Sequence, residues 1–228
     1  MKISRRKKWI ILSLLALFIL SAASFLQRAD DSNPSVGMQI YRLEDGTTLV
    51  VNSQNNFEFT VPSGWYPFLV PTSPDEMEKF SVVNQQYYLP FDTNWISTHT
   101  FDGLLLTAVD LNSNYYNSDP NIPMLLAYTD ITPYSPSGLI SPIISILKSS
   151  GRVTDTYVTE YAEQEVGIVE FQSLEDETPF LGGKMLVFIR NGYLFFIVAQ
   201  ADNQEVLPKI KQTIDDISGS LRFYDIKQ

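Results

Sequence analysis

Two apolar runs near the end of the chain, Met185–Arg190 and Tyr193–Gln200, flank Asn191-Gly192, the dipeptide best suited to a two-residue type I′ hairpin turn. Alternate residues of a strand face opposite ways. Met185, Val187 and Ile189 therefore share one side of the first run, and Leu186 and Phe188 the other. Across the turn, Tyr193, Phe195 and Ile197 oppose Leu194, Phe196 and Val198. Both faces of this ribbon are apolar, so both need cover. Asp202 with Glu205 makes a helix-start pattern, after which Val206, Leu207, Ile210, Ile214, Ile217 and Leu221 recur at helical spacing up to a stop at Gly219. One helix covers one face only. A second helical face, Leu139, Ile140, Ile143, Ile144, Ile146 and Leu147, begins near Ser141-Pro142 and ends before Gly151. The two helices are expected on opposite sides of the hairpin.

The remaining pattern supplies strands. Gln39–Leu43 and Thr47–Asn52 around Glu44-Asp45-Gly46 predict a hairpin. Phe57, Phe59 and Val61 alternate with Glu58 and Thr60 as a half-buried strand, which Pro62-Ser63-Gly64-Trp65 ends in a turn that packs Trp65 under the sheet. Ser73-Pro74-Asp75-Glu76 reads as the start of a helix of about two turns. Residues 87–101, with scattered aromatics, read as a packed loop or short helix. Leu104–Leu111, Pro123–Ile131, Val153–Tyr161 and Glu165–Ser173 are further strands, and the polar loop 112–121 joins the first two.

The N-terminus has a different grammar. Met1–Lys8 is basic, Trp9–Leu20 is apolar, and Ser21-Ala22-Ala23 offers a cleavage site. Apolar character continues to Leu26, giving eighteen residues, just enough to span a bilayer. Residues 1–28 are thus a signal peptide or an N-terminal membrane anchor, with the anchor preferred; 29–38 form a linker, and 39–228 a single globular domain. The early positive charges hold the N-terminus in the cytoplasm and place everything after Arg28 outside.

Charge sharpens that division. The chain of 228 residues has a net charge of −10, yet residues 29–228 carry 10 of the 16 basic residues and all 26 acidic ones, a net of −16. A domain that acidic repels nucleic acid and anionic lipid surfaces. There is no cysteine, which excludes disulfides, thiol chemistry and iron–sulfur ligation, and the single histidine, His99, speaks against a transition-metal site. No acceptor sequon for N-glycosylation occurs, so an exported chain of this kind fits a bacterial envelope better than a eukaryotic secretory route.

Three features in order resemble a known group: the strand ending in a Pro-x-Gly-Trp turn (Phe57–Trp65), the middle helix followed by a strand (Leu139–Tyr161), and the closing hairpin, helix and short strand (Lys184–Phe223). Together they resemble the PsbP-like superfamily, shared by photosystem II PsbP and a Ran-binding nuclear transport factor. The resemblance implies an α+β fold, a three-layer α/β/α sandwich with a mainly antiparallel central sheet, here preceded by the N-terminal hydrophobic segment. It also implies binding or assembly roles without catalysis. It transfers no functional residue and implies no photosynthetic role.

Candidate chemistry is sparse. Asp110, Asn112 and Asn114 begin like a calcium loop, but Tyr115 and Asn121 stand where an EF-hand needs Gly and Glu, and an Asx-rich turn is the plainer reading. His99 has only Ser97 and Thr98 as nearby hydroxyls and no nucleophile elbow. The acidic groups Asp75/Glu76/Glu78, Glu175/Asp176/Glu177 and Asp215/Asp216 suit solvated surface and helix starts better than a hydrolytic carboxylate pair. Gly182-Gly183 precedes a strand and no helix, so it is no phosphate cradle. Tyr115, Tyr116 and Tyr134, in polar loops, are the partner-binding candidates. The expected function is an exported, membrane-tethered, non-catalytic binding or assembly module whose partner is another envelope protein, with no cofactor and no metal. The alternatives are an extracytoplasmic carboxylate-based hydrolase, with or without calcium, and a small-molecule or lipid carrier.

Overall fold

The computed structural model describes residues 37–70, 104–110, 124–131, 140–149, 153–161, 164–172, 182–201 and 204–224, with Glu78 in addition. The N-terminal apolar segment 9–26 lies outside them, and among the described residues no helix is long and apolar enough to cross a membrane.

The hairpin forms as its pattern dictates. Strands β9 (Gly182–Arg190) and β10 (Tyr193–Ala201) pair antiparallel through Asn191 (φ 51°) and Gly192 (φ 80°), two left-handed residues in succession, which a type I′ turn requires. Around it a seven-stranded sheet runs in the order β4-β5-β6-β10-β9-β8-β7, every neighbouring pair antiparallel. Its other members are β4 (Trp65–Leu69), β5 (Leu104–Asp110), β6 (Met124–Ile131), β7 (Val153–Tyr161) and β8 (Gln164–Gln172). Strand β4 was not legible as one: Pro67 sits at its centre, a residue tolerated where the main-chain donor is not needed, and the strand is an edge.

A second, four-stranded sheet has the order β1-β2-β3-β11, from β1 (Met38–Arg42), β2 (Thr48–Asn52), β3 (Phe57–Val61) and β11 (Arg222–Phe223). Met38 pairs with Asn52 and is buried, so the last residue of the expected linker already belongs to the small sheet.

Helix α1 (Ile140–Ser149) and helix α2 (Leu207–Ser220) take opposite faces of the larger sheet. Ile140 and Ile144 of α1 pack with Val169, Val187, Ile189, Leu194 and Phe196. Ile210, Ile214 and Ile217 of α2 pack with Leu186, Phe188, Phe195 and Ile197, in a cluster that also holds Phe57, Phe59 and Val61 of the small sheet. The outer layer on that side is therefore shared between a helix and four strands. Phe57 meets Phe188 and Phe195 edge-on at 5.2 and 4.9 Å between centroids, the geometry aromatic rings prefer.

The ends of α2 differ from expectation. Its first turn begins after Val206 with no side-chain cap, Pro208 standing in that turn where no donor is lost; the Asp202 cap lies outside the described residues. At the other end the helix runs through Gly219 to Ser220, and Leu221 turns it into extended chain while its N–H bonds the Ser218 carbonyl at 3.2 Å. Ser220 continues the link, its hydroxyl accepting from Thr60 N–H at 2.9 Å.

Candidate functional site

Lysine 184 sits on the same side of β9 as Leu186 and Phe188, the side that α2 packs against. Only 4 % of it is exposed. A buried ammonium needs partners, and two neighbouring strands and the helix supply them. Glu170, directly opposite on β8, approaches at 3.3 Å, and Asp215 of α2 accepts from Lys184 Nζ at 2.6 Å. Lys211, one helical turn before Asp215, reaches Glu170 Oε2 at 2.5 Å. Tyr157 of β7 lies beside Lys184, its ring centroid 5.8 Å from Nζ.

Burial alone would lower the Lys184 pKa, but the hydrogen bond and charge of Asp215, joined by Tyr157 and Glu170, outweigh it and raise the value above that of an ordinary lysine. Burial likewise pushes Glu170 up, and hydrogen bonds and charge from Lys211 and Lys184 reverse the sign and leave it lowered. Burial raises the Tyr157 phenol, with Lys184 pulling the other way. The cluster sets two lysines against two carboxylates, and within it Lys184 and Glu170 are each held in the charged form. Such a lysine is neither an amine nucleophile nor a base at neutral pH, and such a glutamate is a poor general acid. The arrangement fastens helix to sheet, with Tyr161 Oη and Ser218 Oγ, 2.7 Å apart, adding a neighbouring link.

Among the described residues the sheet ends beyond this cluster. Strand β7 is the last in the seven-stranded order, and Tyr157 and Val158 are 45 % and 43 % exposed on its two sides. An exposed edge rich in β-branched and aromatic residues is a surface on which another strand can add.

Of the residues singled out from sequence, Asp110 is buried at the end of β5 with its Oδ2 2.5 Å from Lys209 Nζ of α2, so a calcium ion there would have to displace a lysine. Asp215 belongs to the Lys184 cluster, whereas Asp216 is exposed and accepts from Gln212 Nε2 at 2.8 Å. Glu78 is exposed. Gly182 and Gly183 lie inside β9, where a Cβ at 183 would come within 2.1 Å of the Ala199 carbonyl; they allow close strand approach. Asn112, Asn114, Tyr115, Tyr116, Tyr134, His99, Asp75, Glu76 and the 175–177 acids lie outside the described residues. Among the described residues no group of three or more His, Cys, Asp or Glu side chains is placed to hold a metal. The residues that sequence reasoning missed are Lys184, Glu170 and Lys211. Their signal was available: a lysine at an inward position between glycine and Leu186 demands a buried acid.

No family model and no curated protein matches the sequence. Among solved structures, the chain is similar to the solution structure of cyanobacterial PsbP (CyanoP) from Synechocystis sp. PCC 6803, with 12% sequence identity and a TM-score of 0.46, over 79% of this chain and 94% of that one.

Proposed function

We propose that this chain works outside the cytoplasm of a bacterial cell as a non-catalytic binding or assembly module. On this reading the fold is a three-layer α/β/α sandwich, one outer layer being α2 with the small sheet, and residues 9–26 tether it to the membrane. The observation that carries the proposal is the open β7 edge, with Tyr157 and Val158 both more than two-fifths exposed at the margin of an otherwise well-covered sheet. The Lys184 cluster supports it, because its ionisable groups are spent on holding α2 in place.

Cell fractionation with an externally added protease tests the reading. The expected result is a membrane-associated chain whose domain is digested only once the outer permeability barrier is opened, and which cross-links to another envelope protein in intact cells. A chain found soluble in the cytoplasm, or one that yields no cross-linked species from any face of the domain, would overturn it.

A further inference from the structure

The two ends of the large sheet are treated differently. Strand β4 has Pro67 at its centre and lies against β1, where the Arg42 guanidinium stacks 3.9 Å over the Tyr66 ring. Proline and cover are standard ways of blunting an edge. Strand β7 is nine residues long, beyond the common length of about five or six. Its first part is blunted: the pairing with β8 shifts between Val153 and Asp155, and the Asp155 carboxylate takes the Thr156 N–H at 2.8 Å. From Tyr157 to Tyr161 no such device operates among the described residues.

Charge identifies what fits this edge. The hairpin of residues 153–172 carries Asp155, Glu160, Glu163, Glu165 and Glu170 and no lysine or arginine. Glu170 is already neutralised by Lys184 and Lys211. Among the described residues Glu160 and Glu165 have no such cation: they stand directly opposite each other across β7 and β8, a like-charge pair that weakens a sheet. Glu165 Oε2 is also buried and, among the described residues, has no hydrogen-bond partner. A strand laid beside β7 would set one of its side chains opposite Glu160 at about 5 Å between Cβ atoms. A lysine or arginine there relieves the repulsion, while the exposed Tyr157 and Val158 supply apolar contact.

We propose that the Tyr157–Tyr161 edge of β7 is a strand-addition site for an extended, basic segment of a partner protein, with a lysine or arginine opposite Glu160. The proposal rests on the binding-module reading and names its partner chemistry. A second copy of this chain is the poorer occupant, because it would bring a second acidic hairpin against the first.

The full chain in detergent micelles, titrated with the capped peptide Lys-Val-Lys-Val-Thr-Lys-Val and with its glutamate-for-lysine counterpart, tests this. Hydrogen exchange over 153–161 should slow with the basic peptide only. Glu160→Lys, at an exposed position, should weaken peptide binding about tenfold or more without lowering the melting temperature, since it also removes the like-charge pair with Glu165. Exposed Val158→Lys, a gatekeeper on the same edge, should do likewise. No slowing with the basic peptide, equal slowing with the acidic one, or protection that grows with protein concentration in the absence of peptide would each overturn the site. If the two variants still cross-link to envelope partners in cells, the β7 site falls while the binding-module reading stands.

Discussion

Lys184 on β9 donates to Asp215 on α2 across 2.6 Å, joining the central hairpin to its covering helix through a nearly inaccessible ammonium group. Removing one partner of a buried pair leaves the other without compensation. Here Asp215 is 39 % exposed and Glu170 keeps Lys211, so the penalty is moderated. Lys184→Met, which preserves the packed stem, is expected to cost about 1–3 kcal/mol, and Asp215→Asn about 1 kcal/mol. Urea unfolding measures both, and Lys211→Met should cost less than Lys184→Met because Lys211 is 32 % exposed.

The same cluster sets a pH profile. The raised pKa of Lys184 gives stability that is fully present below the unfolded lysine value of about 10.4 and is lost as pH rises through the higher folded value. The lowered pKa of Glu170 gives stability present above the unfolded value of about 4.3 and lost as pH falls through the lower folded value. Melting temperature against pH should therefore show a plateau bounded by two limbs. Lys184→Met should flatten the alkaline limb, where Tyr157 also contributes, and Glu170→Gln the acid limb.

Gly167 in β8 marks where α1 touches the sheet. A Cβ there would lie 2.7 Å from Ile140 Cγ2 and 2.8 Å from Ile144 Cδ1. Gly167→Ala is expected to destabilise the fold by about 1–3 kcal/mol through overpacking. Adding Ile144→Val, which removes the Cδ1 methyl, should recover part of that loss, a non-additive result that only residues in contact give.

Trp65 donates its indole N–H to Thr213 Oγ1 at 3.2 Å, and both residues are buried. Thr213→Val keeps the shape and removes the acceptor, leaving a buried donor unmet at a cost of about 1–3 kcal/mol. Thr213→Ser, which retains the hydroxyl, should stay within about 1 kcal/mol of the parent in the same unfolding assay.

Legibility from sequence tracked how local the cause was. The Asn191-Gly192 turn, the two-faced hairpin and the helical spacing of Ile210, Ile214 and Ile217 are short-range signals, and all stand in the structure. Strand β4 was missed because Pro67 and the Pro62–Trp65 turn look like loop, and only an edge position makes a strand tolerable there. The start of α2 was misplaced because Asp202 and Glu205 form a capping pattern, whereas the helix starts after Val206, next to Pro208. The fourth strand of the small sheet depends on Arg222 and Phe223 returning to pair with Glu58 and Phe57, a contact 164 or more residues long in sequence that no window reveals. The site suffered most: Lys184, Glu170 and Asp215 lie on three different elements, and solvated carboxylates were the default reading for an acidic pair on a helix.

The central structural claim, that α1 and α2 cover the β9–β10 hairpin from opposite sides, has one direct test. In this cysteine-free chain, spin labels on single cysteines replacing the exposed Lys148 of α1 and Gln212 of α2 report their separation by double electron–electron resonance. A sheet between two helices sets their axes about 20 Å apart, and outward-pointing labels should read about 30 Å or more. Helices packed together on one side have axes about 8–10 Å apart, and a mean label distance of about 20 Å or less would contradict the account.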